Sequence, residues 1–229
     1  TVLSGRYIII RRIGQGGMGA VYQASDMRLS GKVWAVKEMS SAGISDQLER
    51  QQAVDAFMQE AELLATLSHP HIPRVIDTFS ERDRYYLVME FVDGDTLERR
   101  LERGGGRPLP PEDVARWASQ ICDVLSYLHS QSPPIVFRDL KPTNIMLDRQ
   151  DKVKLIDFGI VRFFKMGKRM DTIAFGTAGY SPPEQYGKGQ TDARSDIYAL
   201  GATMHHVLTG RDPGARPFHF DDVCALCPA

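Results

Sequence analysis

Between Ile135 and Gly159 the chain reads IVFRDLKPTNIMLDRQDKVKLIDFG, and four side chains in that stretch could act on one substrate. Asp139 and Asp157 are carboxylates, Lys141 is a cation two positions after the first of them, and Asn144 is a carboxamide three further on. Phosphoryl transfer needs this set: a carboxylate to accept a hydroxyl proton, a cation to steady the migrating group, and a carboxamide with a carboxylate to hold a divalent metal. The residue types alone are common. Their spacing must be explained by the elements that carry them.

Val153 to Ile156 (VKLI) is an apolar run of strand length, and Asp148 to Lys152 reads as a polar turn. A strand–turn–strand brings Asn144 and Asp157 to the same end, where both could reach one metal pair. Upstream, Tyr7 to Ile13 predicts a strand, followed by Gly14-Gln15-Gly16-Gly17-Met18-Gly19. Glycines at this spacing admit two readings. A dinucleotide-binding loop leads into a helix, whereas Ala20 to Ala24 (AVYQA) is strand-like. A glycine hairpin between strands fits better, its main-chain amides able to approach phosphates closely. Val33 to Lys37 predicts the next strand, with Val33, Ala35 and Lys37 on one face.

Ser45 to Leu67 predicts a helix ended by Pro70 and Pro73, with Phe57, Ala61, Leu64 and Leu67 on its apolar face. Glu60 and Glu62 both lie on it, about 200° apart around the axis. Arg74 to Phe79 and Tyr85 to Glu90 predict two strands joined by a charged turn. Thr96 to Arg103 predicts a short helix. Pro111 opens a longer one running to His129, with Val114, Trp117, Ile121, Leu125 and Leu128 as its stripe; Cys122 is read as a buried thiol there and His129 as a packed helix-end residue. In the helix expected over Asp192 to Gly210, Asp196 stands among apolar residues and demands a partner. His205 and His206 are adjacent and face different ways, which excludes a metal pair.

The chain has 229 residues, enough for one large domain or two small lobes. Its 28 basic and 29 acidic residues leave a net charge of −1, so no field favours nucleic acid or an anionic membrane. No apolar run approaches the roughly 20 residues of a membrane helix. Cys122, Cys224 and Cys227 make no disulfide framework, and the lone Cys-x-x-Cys at the end reads as a tail rather than half a metal site. The cytoplasm is the default location. Starting at Thr1 rather than Met, the sequence reads as trimmed or excised.

Arg138-Asp139-Leu140-Lys141-Pro142-x-Asn144 followed by Asp157-Phe158-Gly159 resembles the eukaryotic-like serine/threonine protein kinase family. The texture around Ser181-Pro182-Pro183-Glu184-Gln185-Tyr186 is similar to its bacterial members. The resemblance implies an α+β, bilobal fold: a β-rich N-lobe over residues 1–91 and a mainly helical C-lobe over residues 92–229, with the hinge near Glu90 to Asp95. It implies that Gly14, Gly16 and Gly19 cover the phosphates of ATP, with Ile13 and Val21 beside the nucleotide and Ala35 against the adenine. Lys37 would reach the α- and β-phosphates and pair with Glu60, counted back from Ser68-His69-Pro70. Met89 would be the gatekeeper, the main chain of Glu90 and Val92 would read the adenine edge, and Met146 would form its floor. Asp139 would be the base, Lys141 would steady the γ-phosphate, and Asn144 and Asp157 would hold Mg2+, or Mn2+ in its place. Arg138 would pair a phosphate on the activation segment, at Thr172 foremost. Thr177 would line the acceptor pocket, with phosphorylation there a weaker reading. Lys141 and Thr177 together imply serine or threonine acceptors on proteins, this chain included.

Two departures from the family pattern stand out. Phe137 occupies a position usually held by histidine; it could stack on Phe158. After Thr209-Gly210-Arg211-Asp212-Pro213 the sequence ends where the family adds further helices, one bearing an arginine for Glu184. Arg211 is the substitute on offer, and a partner or a second copy could cover apolar surface left by the shortened C-lobe. Two alternatives follow: a nucleotide-binding scaffold without activity, and a kinase of small molecules, the latter opposed by Lys141, Thr177 and the full activation segment.

Overall fold

The computed structural model describes residues 1–16, 19–40, 46–157, 177–186 and 192–226, and these divide into two compact units. The first holds the described residues of 1–68 and 73–92; the second holds 69–72 and the described residues from 93 onward. No helix among the described residues is long and apolar enough to cross a membrane.

Six strands build the first unit: β1 (Val2–Leu3), β2 (Tyr7–Gly16), β3 (Gly19–Asp26), β4 (Val33–Ser40), β5 (Val75–Glu81) and β6 (Arg84–Glu90). They form one antiparallel sheet in the order β1-β2-β3-β4-β6-β5. Strand alternation sorts its side chains between two faces. Ala24, Val36, Tyr86 and Val88 pack with Leu3 and Tyr7 in a buried cluster, where Phe79 stacks on Tyr7 and Tyr86 at centroid distances of 5.7 and 4.9 Å. The opposite face carries Val21, Ala35, Lys37 and Met89, because Val21 pairs in register with Lys37, and Ala35 with Met89.

The helix α1 (Gln47–Thr66) opens on Asp46, whose carboxylate accepts from the Glu49 N–H at 2.8 Å. Ala53, Ala56, Phe57, Glu60, Ala61 and Leu64 form its buried face. It ends at Thr66, before either proline, on an extended Leu67. At the far end of the sheet, Asp26 is buried and accepts from Arg6, from Trp34 Nε1 at 2.9 Å, and from the Arg28 and Leu29 N–H groups at 2.8 and 3.2 Å. That network ties the residue just before β2 to β3 and β4 at the turn between the last two.

The second unit holds a small sheet of β7 (Gly94–Thr96), β8 (Ile145–Asp148) and β9 (Val153–Leu155), and the helices α2 (Leu97–Arg103), α3 (Pro111–His129), α4 (Ala193–Thr209) and α5 (Val223–Leu226). Val114, Trp117, Ile121, Leu125 and Leu128 of α3 are buried as the stripe requires, each such side chain worth about 1.5–3 kcal/mol. Cys122 corrects the reading made of it: one step round the helix from Ile121, it is exposed. His71 pins β9 from outside the sheet, its carbonyl accepting from the Leu155 N–H at 2.8 Å and its Nδ1 lying 2.8 Å from the Val153 carbonyl.

Asp196, in the first turn of α4, is fully buried. Its carboxylate accepts from the Phe137 N–H at 2.9 Å and the Arg138 N–H at 2.8 Å, and His129 Nε2 lies 2.8 Å away. One helix thereby holds the loop that precedes Asp139. Glu184 also departs from expectation. Arg211 pairs with Asp221, and Glu184 Oε1 instead accepts from Ser195 Oγ at 3.2 Å. Phe158, Thr172 and Cys227, with the readings attached to them, lie outside the described residues.

Two variants test this account. The Arg6 guanidinium, the Trp34 N–H and two main-chain N–H groups hold the Asp26 carboxyl well below the usual carboxylate range. The stability it contributes is therefore full above the unfolded value near about 4 and is lost as pH falls below it. Asp26→Asn should lower the urea midpoint at pH 7, and its gap to the parent should narrow as pH falls from about 4 toward 2; a gap that does not narrow over that range argues against the carboxylate. Asp196→Ala strands two buried N–H groups, each worth about 1–3 kcal/mol when unmet. Its unfolding free energy should fall by roughly 2–5 kcal/mol in the same assay, and an unchanged midpoint would mean that the loop before Asp139 holds itself.

Candidate active site

In the first unit the sheet fixes one row and the helix answers it. Lys37 projects from β4 beside Val21, and its Nζ donates to Glu60 Oε1 at 3.0 Å. Glu60 is 1 % exposed while Glu62 faces solvent, which settles which of the two meets the lysine. Ala35 and Met89 lie in register two residues along on the same face. Ile13, Gly14 and Gly16 belong to β2, and Gly14 pairs with Val21. Gly19 begins β3 so close to β4 that a Cβ would stand 1.8 Å from the Glu38 carbonyl oxygen. Only a glycine lets the strands close at that point. β6 ends at Glu90, whose N–H donates to the Arg74 carbonyl at 2.8 Å. The main chain of Val92 enters no hydrogen bond among the described residues, leaving a donor and an acceptor of the kind an adenine edge needs.

The second unit gathers the polar set. The Asp139 side chain is nearly buried, and both of its carboxylate oxygens are engaged. Oδ1 accepts from Thr177 Oγ1 at 3.0 Å; Oδ2 accepts from Asn144 Nδ2 at 2.9 Å and lies 3.0 Å from Lys141 Nζ. Lys141 Nζ also donates to Thr177 Oγ1 at 2.8 Å, closing a ring of three side chains. A second bond from Asn144 Nδ2, to the Asp139 carbonyl at 2.8 Å, commits the amide nitrogen and fixes which end of the carboxamide is oxygen.

Asn144 closes a short helical turn, Pro142–Asn144, just before β8, and Asp157 follows β9. The two strands are antiparallel, and the Ile156 N–H donates to the Asn144 carbonyl at 2.9 Å, so both residues stand at the same end of the small sheet. Two hard oxygen donors suit Mg2+, which is held by one or two side chains with phosphates and water completing its shell. Met146 of β8 pairs with Thr96 of β7.

Two of these residues sit in strained backbone. Arg138 has φ +70° and Asp157 φ +56°, a left-handed conformation that non-glycine residues adopt rarely and that clusters at functional sites. Arg138 is held there by the Asp196 bond to its N–H, and burial lowers the affinity of its guanidinium for a proton, partly offset by Asp196.

The structure thus brings together Lys37 with Glu60, and Asp139 with Lys141, Asn144 and Thr177. Sequence reasoning missed two contributors, His71 and His129. Nothing in the spacing of His129 identifies the carboxylate it meets, and His71 carries no signal beyond lying before a strand.

Comparison with known proteins places the chain in a family. The family model described as protein kinase domain matches residues 7–220. The chain is 37 % identical over 212 residues to the serine/threonine-protein kinase PrkC of Bacillus subtilis, covering 92 % of this chain and 31 % of that protein. It is 42 % identical over 219 residues to a probable serine/threonine-protein kinase of Streptomyces coelicolor, SCO3848, with coverage of 92 % and 31 %. The chain therefore spans about a third of the length of these relatives. Among solved structures, the PknI kinase domain of Mycobacterium tuberculosis superposes with a TM-score of 0.74 at 27 % identity, over 100 % of this chain and 84 % of that one. Family model, relatives and fold agree: the chain belongs to the protein kinase family, in its bacterial serine/threonine branch.

Proposed function

We propose that this chain transfers the γ-phosphate of Mg-ATP to serine or threonine hydroxyls of proteins, its own among them. The observation that carries the reading is the closed ring of Asp139, Lys141 and Thr177, with Asn144 bonded to the same carboxylate. A carboxylate held by three donors is fixed in direction, and direction is what a base that orients an acceptor hydroxyl must have.

In this reading Asp139 accepts the proton of the acceptor hydroxyl as its oxygen bonds to the γ-phosphorus. The bond from that phosphorus to the β,γ-bridging oxygen breaks, and ADP leaves. Lys141 carries charge to the migrating phosphoryl. Lys37, steadied by Glu60 at 3.0 Å, holds the α- and β-phosphates, while the backbone of the Gly14 to Gly19 loop covers them. Val21, Ala35 and Met89 supply an apolar wall for adenine and Val92 its hydrogen-bonding edge. Asn144 Oδ1 and the Asp157 carboxylate hold Mg2+, or Mn2+ in its place, which when bound neutralises charge on the phosphate oxygens.

Thr177 points to the acceptor class. Its hydroxyl is committed to both Lys141 and Asp139, so we assign it to acceptor positioning rather than to receiving phosphate itself. Arg138 is assigned to a phosphate on the segment that includes Thr172.

Intact mass after incubation with Mg-ATP tests the proposal. The parent should gain mass in steps of one phosphate, and Asp139→Asn should slow this by about 10²–10⁴-fold, the scale of a lost general base. Chelating the metal should stop it outright. If the parent gains nothing, and phosphorylates no added basic protein while ATP still raises its melting temperature, the chain is a nucleotide-binding module and the proposal fails.

A further inference from the structure

Tyr180 and His206 are 7 % and 8 % exposed, and the Tyr180 hydroxyl lies 2.6 Å from His206 Nδ1. Neither has a part in the chemistry above. Tyr180 closes the turn that begins at Thr177: the Tyr180 and Ser181 N–H groups both donate to the Thr177 carbonyl, at 3.0 and 3.1 Å. The middle of that turn is pressed against the chain that follows α4. Gly179 has φ +83°, and a Cβ there would stand 2.3 Å from the Pro213 carbonyl carbon, so no other residue fits.

His206 belongs to α4, and so do the groups that hold the other half of the site. Asp196, ten positions earlier, holds the Phe137 and Arg138 N–H groups, and Thr203 Oγ1 donates to the Leu140 carbonyl at 3.4 Å. One rigid helix therefore anchors both the loop that carries Asp139 and the turn that carries Thr177.

We infer that the Tyr180–His206 bond is a positioning device for the protein acceptor: it sets where Thr177 Oγ1 stands against Asp139 and Lys141, and so governs acceptor binding but not nucleotide binding. The inference rests on the kinase reading above. Burial pushes the imidazole of His206 below its usual range and the phenol of Tyr180 above its own, so the native pair is neutral, with tyrosine donating and Nδ1 accepting. Asp212 and Glu98 raise the Tyr180 value; Asp212 opposes and His205 reinforces the lowering at His206. A protonated Nδ1 cannot accept. His206 therefore stays neutral through the ordinary imidazole value near about 6.5, and the bond weakens only as pH falls well below it.

The test is steady-state kinetics with myelin basic protein as the acceptor, on the parent, Tyr180→Phe and His206→Asn. Tyr180→Phe should raise the KM for acceptor roughly five- to tenfold, the scale of one buried hydrogen bond, with the KM for ATP unchanged. Hydrogen exchange at the Tyr180 and Ser181 amides should quicken in the same variant. His206→Asn keeps an accepting oxygen but no titrating ring. It should restore the acceptor KM to within about twofold and abolish the rise in acceptor KM expected of the parent once pH falls well below the ordinary imidazole value near about 6.5. An unchanged acceptor KM in Tyr180→Phe, an equal rise in the KM for ATP, or an acid limb that survives in His206→Asn would each overturn the inference while leaving the kinase reading intact. A parent that transfers no phosphate to any acceptor overturns both.

Discussion

A carboxylate with no access to water must find its hydrogen bonds inside the protein, and Asp196 finds three around one loop. Two of its donors are main-chain N–H groups at consecutive positions, which removes most of the freedom of the backbone just before Asp139. The left-handed conformation of Arg138 is the visible cost. A residue with a side chain adopts it only where its surroundings over-determine it, and a charge-assisted bond to its own N–H is such a constraint. Everything downstream inherits this rigidity. Asp139 is aimed because residues 137 and 138 cannot move, and Lys141 and Asn144 meet it because the turn at Pro142 brings them back.

A second constraint of the same kind operates in the first unit. Lys37 is fixed in the plane of the sheet by antiparallel register, and Glu60 by the packing of Phe57, Ala61 and Leu64 on either side of it. Neither depends on the other for its position. The ion pair reports that helix and sheet are in register more than it creates that register, as the modest net worth of most ion pairs would suggest.

Much of this was legible before any coordinates. Strand alternation put Ala35 and Lys37 on one face, the spacing of Phe57, Ala61 and Leu64 oriented α1, and the VKLI run predicted the pairing that brings Asn144 and Asp157 to one end. What escaped the sequence was contact between distant segments. The bond from Asp196 to His129 joins positions 67 residues apart, and the pin from His71 to Val153 joins positions 82 apart. No periodicity encodes either. Cys122 was misread for a different reason: one residue's offset on a helix is a 100° rotation, enough to carry an apolar type out to solvent. Arg211, the substitute partner offered for Glu184, meets Asp221 instead.

The sheet that carries Lys37 also carries Glu38, and the two point to opposite faces. Glu38 meets Arg84 at 3.0 Å and the Tyr86 hydroxyl at 3.0 Å, on the side of the apolar cluster. Their adjacency makes the strand far more sensitive to changes of length than to changes of residue. A substitution at Val33 or Val36 alters packing locally. Deleting one residue between Gly31 and Val36, with β4 kept in its pairing, would present Glu38 where Lys37 had stood and set two carboxylates face to face across α1. A change of length in β4 is therefore more disruptive than a change of residue, and the Arg28 to Gly31 turn is the nearest place that can absorb one.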